Sequence, residues 1–332
     1  MAARSVGAMR ALICDDFTGV QDLRVGELPD PEPFPGTALV RIEAAAVNFA
    51  DSLIVSGQYQ ARPETPFAPG HEIAGVIESA DGLDGYSVGD RVCGFVGLHG
   101  AMAEKGVLFA NAMAHLPDEV SFEKGAVIPV AYGTAYHALV DRGDLEADDS
   151  LLVLGAAGGV GLAAVQVAKV IGSRIIAAVS SDEKETIVRE AGADYIIRYD
   201  EVPLREGIKE ATGGAGVDVV FDPVGGEMTE LALRDTKWNG MLLVIGFASG
   251  TIPRIPINLN LVKGNSIVGV FLGGLMIEEA ERSAENLAQV VEWVAEGKLN
   301  PHVQRSFPLD EAADAIAWVA DRKVIGRVVV TT

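Results

Sequence analysis

Residues 151–172 read LLVLGAAGGVGLAAVQVAKVIG. An apolar run enters a turn built from Gly and Ala, and the turn opens into an Ala- and Val-rich stretch with helical spacing. A short apolar run closed by glycine reads as a buried strand, and the spacing predicts a helix over 161–172. Ala156, Gly158 and Gly161 take the three positions of a dinucleotide fingerprint, with Ala in the first. Gly158 lets the backbone approach a pyrophosphate, and Gly161 lets the helix pack closely on the sheet. Gly159 and Val160 then open a helix N-terminus, whose amides and dipole favour phosphate. A tight turn with no ligand is the plainer alternative, and the surrounding pattern argues against it.

That pattern is strand alternating with helix. RIIAAV (174–179), YIIRY (195–199), VDVVFD (217–222), GMLLVIGF (240–247) and SIVGVF (266–271) follow LLVLG as further apolar runs, with a helix predicted over Asp182–Ala191. Strands this uniformly apolar are buried on both faces, the property of a doubly wound parallel sheet. The chemistry at the end of the second strand selects the dinucleotide. An NAD site usually carries an acidic residue there to grip the ribose hydroxyls. This chain has Ser180 and Ser181, small enough to admit a 2′-phosphate, followed by Lys184, which has the length to reach it. Tyr199, ending the third strand, stands close in this topology. NADPH is the expected cofactor, with Asp182 the one residue that would repel its phosphate if turned inward.

Upstream the texture is different. Ala11–Cys14, Leu23–Leu28, Leu39–Val47, Ile73–Ser79 and Arg91–Val96 are short strands separated by Pro- and Gly-rich clusters such as PDPEPFPG and DGLDGYSVGD. They describe a compact, barrel-like β-domain. Residues 1–8 read as an extension ahead of the first strand, without the apolar core of a secretion signal. Ser121 starts a helix that continues into a long apolar-periodic stretch. Beyond about Gly273 come helices over Ala280–Ala295 and Asp310–Ala320 and a closing strand GRVVV (326–330). This tail is expected to rejoin the β-domain, giving a catalytic domain of residues 1–125 and 273–332 around an inserted dinucleotide domain of 126–272.

Bulk properties narrow the function. The 332 residues carry 47 acidic and 26 basic side chains, a net charge of −21. A polyphosphate backbone is repelled by such a chain, and no basic stripe offsets it, so no nucleic-acid partner is expected. No apolar run reaches the ~18 residues of a membrane span. The two cysteines, Cys14 and Cys93, have no motif spacing, which fits a reducing, cytoplasmic setting.

Beyond these readings, GAAGGVGLAAVQVAK, the preceding VAYGTAYHAL, VNFADSLIVSGQY (47–59) and VGDRV (88–92) resemble the medium-chain dehydrogenase/reductase superfamily over essentially the whole chain. Within it the chain looks like the zinc-independent quinone oxidoreductase, or ζ-crystallin-like, branch. The resemblance implies a GroES-like β-barrel catalytic domain, an inserted Rossmann domain, NADPH and a homodimer, with SIVGVF an edge strand suited to pairing with its twin. PGHEIAGVI (69–77) carries the GHE of the zinc enzymes. Their Cys ligand ahead of this His falls here on Asn48, their second ligand falls near Val130, and the lobe of the structural zinc has no counterpart. A catalytic zinc needs three protein ligands. His71 is therefore read as a turn or cleft-wall residue, and no metal is expected. His99, His115, His137 and His302 supply no ligand pairing.

Without a Lewis acid the easier acceptor is one already activated by conjugation, a quinone or an enone. By the family pattern Asn48 and Asp51, in NFAD, line the cleft beside the nicotinamide, with Asn48 offering an amide to a carbonyl oxygen. Tyr59, in SGQY, is the candidate hydroxyl donor. Thr134 is placed near the nicotinamide ribose or ring, and Gly246, Phe247, Phe271 and Leu272 against the ring and carboxamide. Arg327 either reaches the cofactor or anchors the tail. The leading function is NADPH:quinone oxidoreduction. The alternatives are an enone or enoyl-thioester reductase, for which Arg62 is the one basic residue near Tyr59, and a non-enzymatic, crystallin-like NADPH-binding protein.

Overall fold

The computed structural model describes residues 7–322 and 324–332. Most of the N-terminal extension read from the sequence lies outside them. The described residues divide into two compact units. One runs through Val130 and takes in Leu275–Gly297 and Pro301–Thr332; the other comprises Ala131–Gly274 with Lys298–Asn300.

The first unit is built from nine strands. A two-stranded antiparallel ribbon pairs β1 (Ala8–Ile13) with β2 (Arg24–Pro29). The main sheet centres on β3 (Thr37–Val47), which pairs antiparallel with β4 (Glu72–Ser79). β5 (Arg91–Phe95) continues the sheet beside β4; β6 (Lys105–Phe109) pairs with β3, and β7 (Met113–His115) with β5. Val40, Ile42, Ile73, Ile77, Val92 and Leu108 bury their side chains together in one core. The sequence reading found five of these strands and missed β6 and β7, which are short and carry little apolar alternation.

In the second unit, strands β8 (Ser150–Val153), β9 (Arg174–Val179), β10 (Tyr195–Arg198), β11 (Val217–Asp222), β12 (Thr236–Val244) and β13 (Ser266–Gly269) form one sheet in the order β10-β9-β8-β11-β12-β13. Every neighbouring pair is parallel. All of β8 is buried, as its uniform apolarity demands. The fingerprint helix spans Gly159–Ile171, starting two residues before the predicted boundary, and Gly172 ends it in the left-handed conformation at φ 94°. The helix Asp182–Ala191 matches its prediction. The stretch after Ser121 is not one helix. Phe122–Ala126 is followed by wide π-helical turns at Ile128–Tyr132 and His137–Arg142 around a short helix, Gly133–Tyr136. Pro129 sits in the first of these turns and cannot donate the hydrogen bond that an α-helix requires there.

The tail returns to the first unit. β14 (Val303–Pro308), absent from the sequence reading, pairs parallel with β15 (Arg327–Thr331), and β15 pairs antiparallel with β3. The helices Ala280–Ala295 and Ala312–Ala320 lie between, with Ile316 packed beside Phe307, Val328 and Val330. Lys298–Asn300 stays with the second unit because the buried Gln166 amide exchanges hydrogen bonds with the Asn300 backbone, at 3.0 and 2.8 Å. Among the described residues no helix is long and apolar enough to cross a membrane.

Candidate active site

Strand register assembles the polar cluster of the first unit. β15 and β4 both run antiparallel to β3, so their first residues meet the last residues of β3. Val328 lies opposite Val47 and Ile73 opposite Ala45. Arg327 and Glu72 therefore arrive beside Asn48, at the point where β3 gives way to the helix Phe49–Val55. The Asn48 amide donates to Glu72 Oε1 at 3.0 Å and its carbonyl accepts from Arg327 at 2.9 Å. Glu72 Oε1 also pairs with Arg327, and its Oε2 accepts the Val130 N–H at 2.7 Å. Burial pushes the Glu72 carboxyl above the ordinary carboxylate range, and Arg327, the Val130 N–H and Asn48 pull it back.

Asp51 is the third residue of that helix and turns back, so that Oδ2 accepts the Asn48 N–H at 2.7 Å, one arm of a capping box. Its carboxyl is fully buried, and burial pushes it up against the pull of His71, Asn48, Arg327 and Gly70. Asn48 and Asp51 were expected to line a cleft; they are instead 6% and 0% exposed. Both are turned inward by the cap and the ion pair, and the amide that Asn48 was to offer a substrate is engaged with Glu72. Arg327, left between two roles by the sequence, is buried between Asn48 and Glu72.

His71, given no chemical role from the sequence, lies inside the cluster. Its ring stacks on Phe95 with centroids 6.0 Å apart, Nδ1 lies 3.1 Å from the Gly97 carbonyl, and Nε2 lies 3.2 Å from Asp51 Oδ1. The signal in the sequence was the pairing of GHE with the NFAD Asp, which no local rule connects. Tyr59 is half-buried; burial and then the Asp51 charge push its hydroxyl up, so it stays protonated.

The fold family implies zinc, and the donor set here does not fit it. No three of His, Cys, Asp and Glu converge among the described residues. The two Glu72 oxygens are held by Asn48, Arg327 and the Val130 N–H, and a guanidinium stands in the middle of the cluster. Cys93, the thiol on neighbouring β5, is buried with its pKa pushed up to about 12, far from the thiolate that a metal binds.

In the second unit all six strands present their carboxyl ends at one edge, where ligands bind in such sheets. The turn 155–161 leaves β8 there. A Cβ at Gly158 would meet only the Gly155 carbonyl, at 3.4 Å, so the space above it is open. A Cβ at Gly161 would run into that carbonyl and lie 2.9 Å from Ala156 Cα. No side chain caps the helix, so the amides of Gly159, Val160 and Gly161 remain for a ligand. Ser180 leaves β9 at this edge and receives Lys184 Nζ on its hydroxyl at 3.1 Å, while Ser181 caps the next helix. Asp182 is turned to Arg198, a partner the sequence reading did not single out, which also holds Asp200 at 2.8 Å and Glu201 at 3.2 Å. Tyr199 leaves β10, Gly246 and Phe247 leave β12, and Phe271 and Leu272 leave β13 at the same edge. Thr134 is buried in the short helix, whose Gly133 lies beside Leu272.

Asp222 was missed. At the end of β11 its carboxylate accepts from Val224 N and Gly225 N, both at 2.9 Å, and from Thr229 at 2.6 Å. It thereby shapes the turn DPVGG, where Gly225 takes φ 72°, next to the switch point between β8 and β11. The Asp-Pro and Gly-Gly pairs were its signal.

Known families match both units. The alcohol dehydrogenase GroES-like domain matches residues 34–118, and the family described as zinc-binding dehydrogenase matches 159–295. The quinone oxidoreductase-like protein 2 homolog of Nematostella vectensis is 39% identical over 302 residues, covering 90% of this chain and 82% of its own. The chain belongs to the medium-chain dehydrogenase/reductase family. Human quinone oxidoreductase is 32% identical over 309 residues, 92% of each chain. A mycobacterial protein solved in complex with NADPH superposes with a TM-score of 0.90 at 30% identity, covering 98% of this chain and all of that one. This member of the family is a quinone oxidoreductase-like oxidoreductase with a nicotinamide dinucleotide fold, a GroES-like domain and a Rossmann-like parallel sheet.

Proposed function

We propose that this protein transfers hydride from NADPH to quinones without a metal. The observation that carries the reading is the commitment of Glu72 and Asn48 to Arg327. It leaves no free Asn48 or Glu72 oxygen beside His71 for a catalytic zinc, which supports an acceptor already activated by conjugation. Lys184 on Ser180, with Asp182 drawn off by Arg198, supports NADPH over NADH. The amides of Gly159, Val160 and Gly161 receive the pyrophosphate, with Ala156 and Gly158 leaving it room. Ser180, Ser181, Lys184 and Tyr199 take the 2′-phosphate end, and Thr134, Gly246, Phe247, Phe271 and Leu272 take the nicotinamide end. Bound there, NADPH supplies the hydride. Asn48, Asp51 and Arg327 act by holding the buried polar cluster together.

A second reading, reduction of a conjugated enone, is favoured by Tyr59, whose half-buried hydroxyl is held protonated by burial and by the Asp51 charge. Its enoyl-thioester form has less support, because Arg62 is already engaged with the Gly57 carbonyl at 2.7 Å and the Phe17 ring. A homodimer through β13 is supported by its edge position and by exposed Ile257, Leu261, Val262, Ile267 and Phe271 on and beside it. The charge of −21 speaks against a nucleic-acid partner, and two free, buried cysteines fit a reducing cytoplasmic compartment.

Titration with NADPH and NADH, followed by NADPH oxidation with 1,4-benzoquinone and a simple enone in a chelator, tests the reading. Tighter NADPH binding and chelator-resistant quinone turnover are expected. Loss of turnover on chelation, restored by zinc, would overturn it, and turnover confined to the enone would move the assignment to the second reading.

A further inference from the structure

The helix Gly226–Arg234 begins at the same sheet edge as the fingerprint helix, and the two N-termini differ. No side chain caps the fingerprint helix. The start of the other is closed. Asp222 Oδ1 accepts the N–H groups of Val224 and Gly225, both at 2.9 Å, and the Gly226 N–H donates to the Thr251 carbonyl at 2.9 Å. Asp222 Oδ2 accepts the Thr229 hydroxyl at 2.6 Å from within the same helix. Asp222 and Thr229 are both buried, so the carboxylate is spent inside the fold, on the shape of one turn.

That turn is joined to both of its neighbours. On one side, a Cβ at Gly155 would lie 2.9 Å from Val224 Cγ2, so the Val224 side chain fills the space beside the first glycine of the dinucleotide turn. On the other, main-chain hydrogen bonds lace it to the loop after β12. Ile245 and Gly246 donate to the Asp222 carbonyl at 3.0 and 3.3 Å, Ala248 to that of Pro223 at 3.0 Å, and Ser249 to that of Val224 at 2.8 Å. A Cβ at Gly225, where φ is 72°, would run into Phe247 Cδ1 at 2.8 Å and the Thr251 carbonyl at 2.9 Å. Glycine there lets the two loops close on each other.

We propose that Asp222 is a positioning residue for the cofactor, an inference that rests on the cofactor site proposed above. Its carboxylate fixes the turn 222–226. That turn seats Val224 against the dinucleotide turn and anchors the loop that carries Gly246 and Phe247. The pyrophosphate and nicotinamide ends of the site therefore depend together on one buried side chain that touches neither. The role is one of geometry: Asp222 acts through the hydrogen bonds it accepts, not through its charge.

Fluorescence titration with NADPH, at a temperature where every protein compared is fully folded, tests this, with NADH run alongside. Asp222→Ala strands the Val224 and Gly225 N–H groups and should bind NADPH at least about tenfold more weakly. Asp222→Asn keeps an oxygen for both N–H groups and offers its NH2 to the Thr229 hydroxyl, so it should stay within about threefold of the wild type. Thr236→Val controls for lost stability alone. Thr236 is buried where β12 begins, at the opposite edge of the sheet, and its hydroxyl donates to the Leu233 carbonyl at 3.0 Å and accepts from Asn265 at 2.9 Å. Its loss should lower Tm and leave NADPH affinity unchanged. Unaltered binding by Asp222→Ala, an Asn variant as weak as the Ala variant, or an equal loss in Thr236→Val would each refute the assignment. Should Asp222→Ala not fold, Val224→Ala decides. It keeps the turn, removes the contact with the dinucleotide turn and should weaken NADPH by about threefold or more; unchanged affinity would overturn the proposal. A wild type that binds neither dinucleotide removes the cofactor site and this inference with it, whereas binding that survives Asp222→Ala removes the inference alone.

Discussion

Replacing Arg327 with Met tests whether the Glu72 carboxylate is held in the core by one guanidinium. Glu72 has no exposed surface, and Arg327 contacts both it and Asn48. Removing one partner of a buried pair costs about 3–5 kcal/mol, because the other charge is left uncompensated. Glu72 would still accept from Asn48 and the Val130 N–H, which places the expectation near the lower end, about 3 kcal/mol. For a domain of this size that is a drop of about 6–12 °C in Tm. The pH dependence has a definite sign. Burial already raises the Glu72 carboxyl in the folded state, and loss of Arg327 raises it further. A carboxyl raised in the fold has its full stability only below its unfolded pKa of about 4.3, and loses it as pH rises through the folded value. The deficit of the variant should therefore be least near pH 4–5 and grow toward neutrality. Glu72→Gln added to the Met variant keeps an oxygen for Val130 without the charge and should recover most of the loss. Thermal unfolding of the wild type, the Arg327→Met variant and the double variant at two pH values measures this. A double variant no more stable than Arg327→Met alone would refute the reasoning.

Four further outcomes follow from the geometry. Gly158→Ala should fold normally, since its Cβ meets only one atom at 3.4 Å, yet bind NADPH at least about tenfold more weakly in a fluorescence titration because the methyl occupies pyrophosphate space. Gly161→Ala should cost about 1–3 kcal/mol in denaturant unfolding, because its Cβ meets backbone that has no room to move. Lys184→Glu should weaken NADPH much more than NADH, and equal losses would remove Lys184 from the phosphate site. Ile267→Asp on the exposed edge β13 should shift the protein to monomer in sedimentation velocity if the dimer forms there.

The parallel sheet was legible because its signals are local. Each strand is a continuous apolar run, each helix has its own period, and Gly161 is demanded by neighbours only five or six residues away, Gly155 and Ala156. The β-domain was half legible. β3 and β4 announce themselves as long, largely apolar and largely buried runs, but β6, β7 and β14 are strands because partners exist for them, and their own residues carry little preference. The phosphate end could be read as far as Ser180 and Lys184. That Asp182 turns to Arg198 depends on β10 lying beside β9, a matter of sheet order.

By itself, then, the sequence determined the architecture, the dinucleotide turn and the family resemblance, since short-range periodicity, glycine and turn chemistry act within a few residues of where they are written. Only the tertiary structure decided the polar cluster. Asn48 and Arg327 are 279 residues apart and Asn48 and Glu72 are 24 apart. In a linear chain an Asn, a Glu, an Arg, a His and an Asp at such distances read as surface groups. They become one buried site because two strands pair antiparallel with β3 in a register that leaves their first residues at its end. Burial then makes each charge depend on the next.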